Sequence, residues 1–436
     1  MAKETNSRIR NARRRTFIKT AGTAVTLAGL AGCSSGGNGG GGGDTETSGG
    51  GSGGDSQTGT TTSPSLDGPV RVGLLTPLSG PFALTGQEVQ RGVEMAREHL
   101  GGEILGQSIE VVSRDSEGSS SGALEGARSL VQQEDVDAII GPSISSAGLA
   151  VLPYIRDQAQ IPILPTQVSS VNAREGENCT EYSYFIWVSN RHIVPVGVDF
   201  IHDLQNSIDR SYDPKKVHFF APDYALGQNN LELLREEMSS RGGEVVGSTL
   251  APIGTQDLSS YISELSNSEA DVITGVLTPG MAVRLINQAT DFGLPDEKII
   301  MFNSGKPVDQ ITQASVGATA DGWYGTYFYN PASESEINQT FKSLYPSESD
   351  LLPNASCGSG FETMRAIAQS IEQAGSTNAD DMVDQLGGLS WDSIFGPAKF
   401  REGDGQIELN FVGATRRDTE FTVLEEYPDI IPENRC

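Results

Sequence analysis

From Val70 onward the sequence alternates short apolar runs with longer stretches whose apolar residues recur every three or four positions. Such runs predict strands, and such spacing predicts amphipathic helices. The strand-like runs of the first series lie at 70–75, 109–112, 136–140 and 161–164. The helical stretches between and after them lie at 85–100, 122–133 and 145–158. This alternation requires a parallel sheet covered by helices on both faces.

The alternation then restarts in a second series of similar size. Its strand-like runs lie at 217–220, 244–250, 272–276 and 298–301. Its helical stretches lie at 226–240, 258–266 and 281–292. The last third has helical spacing at 334–345 and 361–374 and hairpin-like runs at 406–412 and 421–424. The predicted fold class is therefore α/β, with two doubly wound parallel-sheet lobes.

The chain begins with features of an export signal. Arg14-Arg15-Thr16-Phe17-Ile18-Lys19 precedes a short apolar stretch at 21–32, which is typical of a twin-arginine signal. Leu30-Ala31-Gly32-Cys33 resembles the bacterial and archaeal lipobox, which implies lipidation at Cys33. An N-terminal anchor with an incidental cysteine is the alternative. We predict a signal peptide at 1–32, a Gly/Ser/Thr linker at 33–66 and a lipid-anchored location at the extracytoplasmic cell surface.

The net charge of −27 limits the possible partners. So many carboxylates repel phosphates, which excludes nucleic acid as a reasonable ligand. Two interpretations of the acidity remain: an ordinary acidic protein, or a protein adapted to molar salt, where charge is screened within about 3 Å. We favour the second, which fits an archaeal halophile. From Leu66 onward the sequence has no 18-residue apolar run, so this part is not expected to form a transport pore.

The predicted fold also predicts where a ligand binds. Open parallel sheets bind ligands beyond the carboxyl ends of their strands. Two such lobes facing each other form a cleft, so the site should be built by the loops that follow the strands. These loops lie at 76–85, 141–146, 165–170, 222–227, 277–279 and 303–306.

Several of these loops carry a family resemblance. The segment Val72–Pro81, followed by Gly86, is similar to the opening of the type I periplasmic binding proteins, in their leucine/isoleucine/valine-binding branch. Further similar segments lie at 140–143, 163–166 and 223–227. The resemblance runs from Val70 to about Thr422. It implies a monomeric, non-enzymatic protein that closes around a small solute by a hinge motion and delivers it to the membrane permease of an ABC importer.

The resemblance also implies a division of the chain. The family's chain crosses three times between the lobes, near Asn190, Thr326 and Gly403 here. Lobe 1 would comprise 67–190 plus 327–403. Lobe 2 would comprise 191–326 plus 404–436.

Site residues follow from the same resemblance. In the family, a serine after the third strand and polar groups after the fourth hold the ligand's carboxylate, which places Ser145 and Thr166 in that role. Ser145 also opens a helix, whose N-terminus favours an anion, although a simple N-cap is the alternative. A tyrosine that matches Tyr224 packs on the ligand. The predicted ligand-binding residues are Thr85, Ile144, Ser145, Thr166, Gln167, Val168, Tyr224, Leu277 and Ser304.

Three of these positions depart from the family pattern. Ser304 replaces the acidic residue that pairs with the ligand's ammonium, Val168 replaces a threonine, and Leu277 lies near a tyrosine position. A buried ammonium without a carboxylate partner is costly. The expected ligands are therefore a branched-chain or other amino acid, or an amide, urea-like or carboxylate analogue.

The cysteines beyond Cys33 are Cys179, Cys357 and Cys436. A disulfide is expected outside the cell, and three thiols leave one over. By analogy Cys179 and Cys357 fall in the same lobe, which favours that pair, while Cys436 could compete.

No metal or cofactor site is expected, because His99, His192, His202 and His218 show no paired metal-ligand spacing. Gly141-Pro142-Ser143-Ile144-Ser145 lacks the closing glycine of a nucleophile elbow. Two further hypotheses stay open: a ligand-sensing module for a chemoreceptor or signalling receptor, and an exported hydrolase.

Overall fold

The computed structural model describes residues 66–303, 305–347 and 349–436. The predicted signal peptide, the linker, Cys33 and Ser304 lie outside the described residues. The strands are β1 Val70–Thr76, β2 Glu103–Ile104, β3 Gln107–Asp115, β4 Ala138–Ile140, β5 Ile163–Leu164, β6 Lys216–Pro222, β7 Glu244–Ala251, β8 Val272–Gly275, β9 Ile299–Phe302, β10 Tyr324–Tyr327, β11 Ser390–Ser393, β12 Gly396–Phe400, β13 Ile407–Arg417 and β14 Glu420–Ile430. The helices are α1 Ala83–His99, α2 Ser120–Gln132, α3 Ser145–Tyr154, α4 Asn190–Asp203, α5 Ala225–Ser240, α6 Ser259–Ser266, α7 Pro279–Asp291, α8 Leu294–Glu297, α9 Gln310–Val316, α10 Glu336–Leu344, α11 Ala355–Ala374 and α12 Ala379–Leu386.

The smaller sheet has five strands in the order β2-β3-β1-β4-β5. β3, β1, β4 and β5 are parallel, and β2 forms a short antiparallel hairpin with β3. Val72 and Leu74 of β1 pack toward α1 and α11, whereas Leu75 packs toward α2 and α3. The sheet is thus covered by helices on both faces, as the alternation predicts.

The larger sheet has nine strands in the order β11-β12-β13-β10-β9-β8-β6-β7, with β14 paired to β13. β7, β6, β8, β9 and β10 are parallel. β13 runs antiparallel to β10 and to β12, so one long strand connects the parallel part to the β11–β12 hairpin. Helices α6 and α7 cover one face and α4 and α5 the other. This confirms the fold class of two doubly wound α/β lobes, while the proposed lobe boundaries stay a prediction.

Side-chain caps define the starts of several helices. Ser119 accepts a hydrogen bond from the backbone N–H of Gly122 at the start of α2, at 3.0 Å. Asn354 accepts one from Cys357 at the start of α11, also at 3.0 Å. Each bond satisfies one of the four backbone N–H groups that a helix N-terminus leaves without an intrahelical partner. Within the described part of the chain, no helix is both long and apolar enough to cross a membrane.

A buried histidine joins two segments near the predicted lobe crossings. His192 Nδ1 accepts from the backbone N–H of Ser189 at 3.1 Å, which closes a capping box at the start of α4. His192 Nε2 lies 3.1 Å from the carbonyl oxygen of Ile407, so this nitrogen carries the proton and donates. Burial, reinforced by the nearby Arg174, lowers the pKa of His192 to about 3. The imidazole is therefore neutral in the folded protein.

The disulfide joins Cys179 to Cys436, with Cα atoms 5.6 Å apart, so the predicted Cys179–Cys357 pairing is wrong. Cys357 lies on α11, fully buried, with its sulfur 3.6 Å from that of Met95 on α1. It therefore cannot reach the loop that holds Cys179. The chain after β14 instead runs back to this loop, where the N–H of Gly176 donates to the carbonyl of Arg435 at 3.4 Å.

We predict that Cys436→Ser lowers the free energy of unfolding by about 2–4 kcal/mol, because the bridge closes a loop with a sequence separation of 257 and restricts the unfolded chain. Chemical denaturation without reductant measures the loss. A reductant should destabilise the natural protein and leave Cys436→Ser unchanged. Equal stability of the two proteins without reductant would contradict the prediction.

His192 predicts a pH dependence of stability. Its folded pKa of about 3 lies below the unfolded value of about 6.5, so at acidic pH the unfolded chain binds a proton that the folded chain excludes. The stability that results from this difference in pKa is fully present above pH 6.5. It is lost as the pH falls toward 3, and the loss reaches about 2 kcal/mol at pH 5.

The variant His192→Gln tests this pH dependence. Glutamine does not titrate, and it keeps an acceptor for the Ser189 N–H at the capping-box position. Between pH 7 and pH 5 the free energy of unfolding, measured by chemical denaturation, should therefore fall by about 2 kcal/mol less in the variant than in the natural protein. An equal fall in the two proteins would show that His192 does not titrate on unfolding.

Candidate functional site

Hydroxyl groups from three strand ends of the smaller sheet meet at one place. Ser143, just after β4, lies with its Oγ 2.8 Å from Thr76 Oγ1 at the end of β1. The same Oγ lies 2.8 Å from Thr166 Oγ1, just after β5. All three side chains are buried. Because parallel strands end at a common edge, residues far apart in sequence form one chain of hydroxyl groups there.

Ser145 adds a fourth hydroxyl beside this chain. It is the first residue of α3, and Ile144 rather than Ser145 occupies the N-cap. Its Oγ accepts hydrogen bonds from the backbone N–H groups of Ser169 and Ser170, both at 3.2 Å. The Ser145 side chain therefore fastens the loop after β5 to the helix N-terminus, where free N–H groups and the helix dipole favour a negative charge.

A buried arginine also holds the loop after β5 by hydrogen bonds. Arg174 donates to the carbonyls of Val168 and Trp187 and, at 2.5 Å, to Gln406 Oε1. Its guanidinium carbon lies 4.0 Å from the centroid of the Phe185 ring. Burial lowers the pKa of Arg174 to about 9, so it still carries its charge at neutral pH. This cation adds to the positive potential next to the hydroxyl groups.

Residues of the larger sheet face these loops. Tyr224, which precedes α5, packs its ring 5.8 Å from that of Phe82. Asn229 Oδ1 on α5 accepts from the backbone N–H of Val171 at 3.1 Å and from Asn190 Nδ2 at 2.8 Å. Burial raises the pKa of Tyr224, so its hydroxyl stays protonated. The two sets of strand-end loops are therefore in direct contact.

The predicted site residues have different environments. Thr85 is buried in the first turn of α1, and Ser145, Thr166 and Tyr224 lie at the meeting of the loops described above. Gln167 is half-buried, and its Nε2 has no hydrogen-bond partner among the described residues. Ile144, Val168 and Leu277 instead pack into hydrophobic clusters. Their role in ligand binding stays a prediction.

Three polar residues at this site were not singled out from the sequence. Thr76 and Ser143 lie in the predicted loops, but single hydroxyl residues give no signal until the sheet brings them together. Asn229 lies on α5, outside every predicted loop. No local pattern pointed to it, because the backbone N–H that it accepts belongs to Val171, 58 residues away in sequence.

Other features of the described residues lie elsewhere. A concavity of about 590 Å³ runs along the C-terminal half of α1 and includes none of the predicted site residues. Its lining residues are Arg91, Glu94, Met95, Arg97, Glu98, Gly101, Gly102, Leu344 and Pro346. In the described part of the chain, no group of three or more His, Cys, Asp or Glu side chains could hold a metal ion.

Comparison with known proteins identifies the family of this chain. The family model of the periplasmic binding proteins matches residues 69–415. Leu/Ile/Val-binding protein homolog 6 of Brucella melitensis is 26% identical over 353 residues, which are 78% of this chain and 86% of that protein.

Solved structures share the fold. A solute-binding protein of an ABC transporter from Rhodopseudomonas palustris, in complex with benzoate, superposes with a TM-score of 0.76 at 21% identity, over 84% of this chain and 99% of that one. A leucine-binding protein from Thermotoga maritima superposes with a TM-score of 0.71 at 18% identity, over 82% of this chain and 99% of that one.

Two α/β lobes with polar strand-end loops in contact are the architecture of a solute-binding protein that holds its ligand between lobes. The chain belongs to the periplasmic binding protein family. Proteins of this family bind small molecules outside the cytoplasm. A disulfide is consistent with that location, because disulfides persist in oxidising compartments.

Proposed function

We propose that this protein is the solute-capturing component of an ABC importer and binds a small carboxylate-bearing solute between its lobes. The observation that carries the proposal is the group of buried hydroxyls at the ends of β1, β4 and β5, beside the N-terminus of α3. Neutral donors and a helix N-terminus suit a carboxylate, because they stabilise the charge without an ion pair. Relatives that are ABC-transporter solute-binding proteins support the importer role.

In this proposal each group has a part in binding. Ser145, which already accepts two backbone N–H bonds, directs its own O–H toward the ligand's carboxylate. Thr166 and Gln167 supply further donors from the loop after β5. Tyr224 closes over the ligand from the second lobe when the hinge shuts. The ligand leaves chemically unchanged when the lobes separate at the permease.

The anchor is part of the same proposal. Twin-arginine export followed by lipidation of Cys33 would hold the protein at the outer face of the membrane. The acidic composition, with a net charge of −27, suits a salt-rich medium and sets the conditions for assays.

We predict that Ser145→Ala weakens binding of the natural ligand about tenfold, because one charge-assisted hydrogen bond to the carboxylate is lost. A thermal-shift screen in molar salt over amino acids, amides, ureas, aliphatic acids and benzoates identifies the ligand, and calorimetry gives the affinity. A ligand at 100 times its dissociation constant should add about 2.7 kcal/mol of stability.

Ser146→Ala is the matched control, because Ser146 is the next residue of α3 and the bond that it accepts from Ser120 goes to its backbone carbonyl, which the substitution keeps. It should leave the affinity within about twofold. Recovery of a chemically altered ligand from the protein would exclude the binding-protein role. Equal affinities of Ser145→Ala and the natural protein would exclude the carboxylate assignment.

We predict that Cys33→Ala releases the protein from the membrane, because only the cysteine thiol can accept the lipid. Cell fractionation and mass spectrometry of the mature N-terminus measure the change. The double variant Arg14→Lys/Arg15→Lys should instead remain inside the cell. Membrane retention of Cys33→Ala would show that another segment provides the anchor.

A further inference from the structure

The chain after β14 leaves the larger sheet and runs to the side of the smaller one. Tyr427, near the end of β14, donates its hydroxyl to Asp203 Oδ2 at 3.0 Å. Asp203 is the last residue of α4, which covers one face of the larger sheet. We call residues 428–436, which follow directly, the strap. One end of the strap is thus attached to the larger sheet.

The other end of the strap is covalently fixed beside the smaller sheet. Cys436 is bonded to Cys179. Three residues after Cys179, the carbonyl of Tyr182 accepts from the backbone N–H of Ile163 on β5, at 2.8 Å. β5 is the edge strand of the smaller sheet. The strap therefore joins a helix of the larger sheet to an edge of the smaller one, in addition to the three predicted crossings of the chain.

Hydrogen bonds along the strap hold it in place between its two ends. The Arg401 side chain donates to the carbonyl of Pro432. The backbone N–H of Gly176 donates to the carbonyl of Arg435 at 3.4 Å. The strap cannot move away from the smaller sheet without breaking these bonds and the disulfide.

The strap also contacts a residue that holds one loop of the proposed ligand site. Cys436 Sγ lies 3.4 Å from the carbonyl oxygen of Arg174. The guanidinium of Arg174 donates to the carbonyl of Val168 in the loop after β5. The next residue, Ser169, donates its backbone N–H to Ser145 Oγ. Movement of the strap can therefore reach the loop that the proposed function assigns to ligand binding.

The loops of the two sheets touch in this structure. The ring of Tyr224 lies 5.8 Å from that of Phe82, and Asn229 accepts from the backbone N–H of Val171 at 3.1 Å. A ligand can enter between these loops only if the contacts separate, through a rotation of one lobe relative to the other. Such a rotation changes the distance between the two attachments of the strap. A strap that is bonded along its length restricts this change.

We propose that the strap, closed by its disulfide, restrains the two lobes in the arrangement in which their loops touch, and that reduction of the Cys179–Cys436 bond lets them open further. The inference rests on the proposed function, because it assumes that the lobes separate to admit a ligand. Cys436 is exposed, so a small dithiol can reach the bond.

The dithiol supplies both electrons of the reduction. Its first thiolate attacks Cys436 Sγ, which breaks the S–S bond and releases the Cys179 thiolate. Its second thiolate then attacks the mixed disulfide, releases Cys436 and leaves the reagent as a cyclic disulfide. The two protons of the dithiol pass to the two cysteines.

Hydroxyl-radical footprinting of the dialysed protein tests the proposal, because the rings of Phe82 and Tyr224 cover each other only while the lobes touch. In Cys436→Ser both rings should be oxidised about threefold faster than in the natural protein. Tyr261, a half-buried tyrosine on α6, is the internal control and should react at the same rate in both proteins. Solution scattering should show a larger radius of gyration for the variant.

Two comparisons separate lobe opening from loss of stability. Leu265→Ala removes a buried side chain from α6 and lowers stability without touching the strap, so Phe82 and Tyr224 should react as in the natural protein. Reduction of the natural protein by a dithiol, followed by capping of the released thiols, should reproduce the effect of Cys436→Ser. The same treatment should leave Cys436→Ser unchanged.

Faster oxidation that is confined to residues 174–179 and to the strap would show a purely local role of the disulfide and would overturn the inference. Equal oxidation of Phe82 and Tyr224 with and without the bridge would also overturn it. If these rings react in both forms as slowly as the fully buried Phe219, the lobes do not separate. In that case the hinge motion of the proposed function fails as well. If they react faster than Phe219 but equally in both forms, only the strap inference fails.

Discussion

The parallel pairing of β1 with β3 and β4 determines how the rest of this molecule is arranged. Its register places the carboxyl ends of the strands along one edge, so Thr76, Ser143 and Thr166 meet although they are distant in sequence. The same pairing in the larger sheet directs the loops of β6, β8 and β9 toward that edge. The proposed site between lobes follows from strand direction, since parallel sheets present all their β-to-α loops on one side.

The packing beneath the proposed site consists of apolar faces and a few buried polar groups. His192 donates to the backbone carbonyl of Ile407, and Arg174 donates to the side chain of Gln406; both partners are far away in sequence. Such groups are costly to bury without partners and stabilising when bonded. They fix the relative positions of segments near the predicted lobe crossings. The Cys179–Cys436 bridge adds a covalent link to the same region through the C-terminal segment.

The two lobes differ in the polar groups that they bury. The first lobe offers neutral hydroxyls and a helix N-terminus, with Arg174 behind them. The second offers an ammonium held between a carboxylate and an aromatic ring. In the proposed site, the hydroxyls of the first lobe favour an acceptor group on the ligand.

Much of the fold was predictable from sequence because burial leaves a local pattern. The two strand–helix series, their order and the loops at their ends are confirmed, with element ends displaced by a few residues. Helix α4 was missed because Pro195 lies inside it. Strand β10 was missed because it pairs with β9 and β13, which are separated from it in sequence, and the short β11–β12 hairpin was missed although its pairing is local. The site was predicted as a set of loops and stays a prediction. Ser145 and Thr166 both lie at the carboxyl ends of the strands of the smaller sheet. The hydroxyl chain through Ser143 and the disulfide partner Cys436 required the tertiary structure. Hydrophobic periodicity is a local property of the chain, whereas these contacts depend on which distant segments the sheets and the C-terminal segment bring within bonding distance.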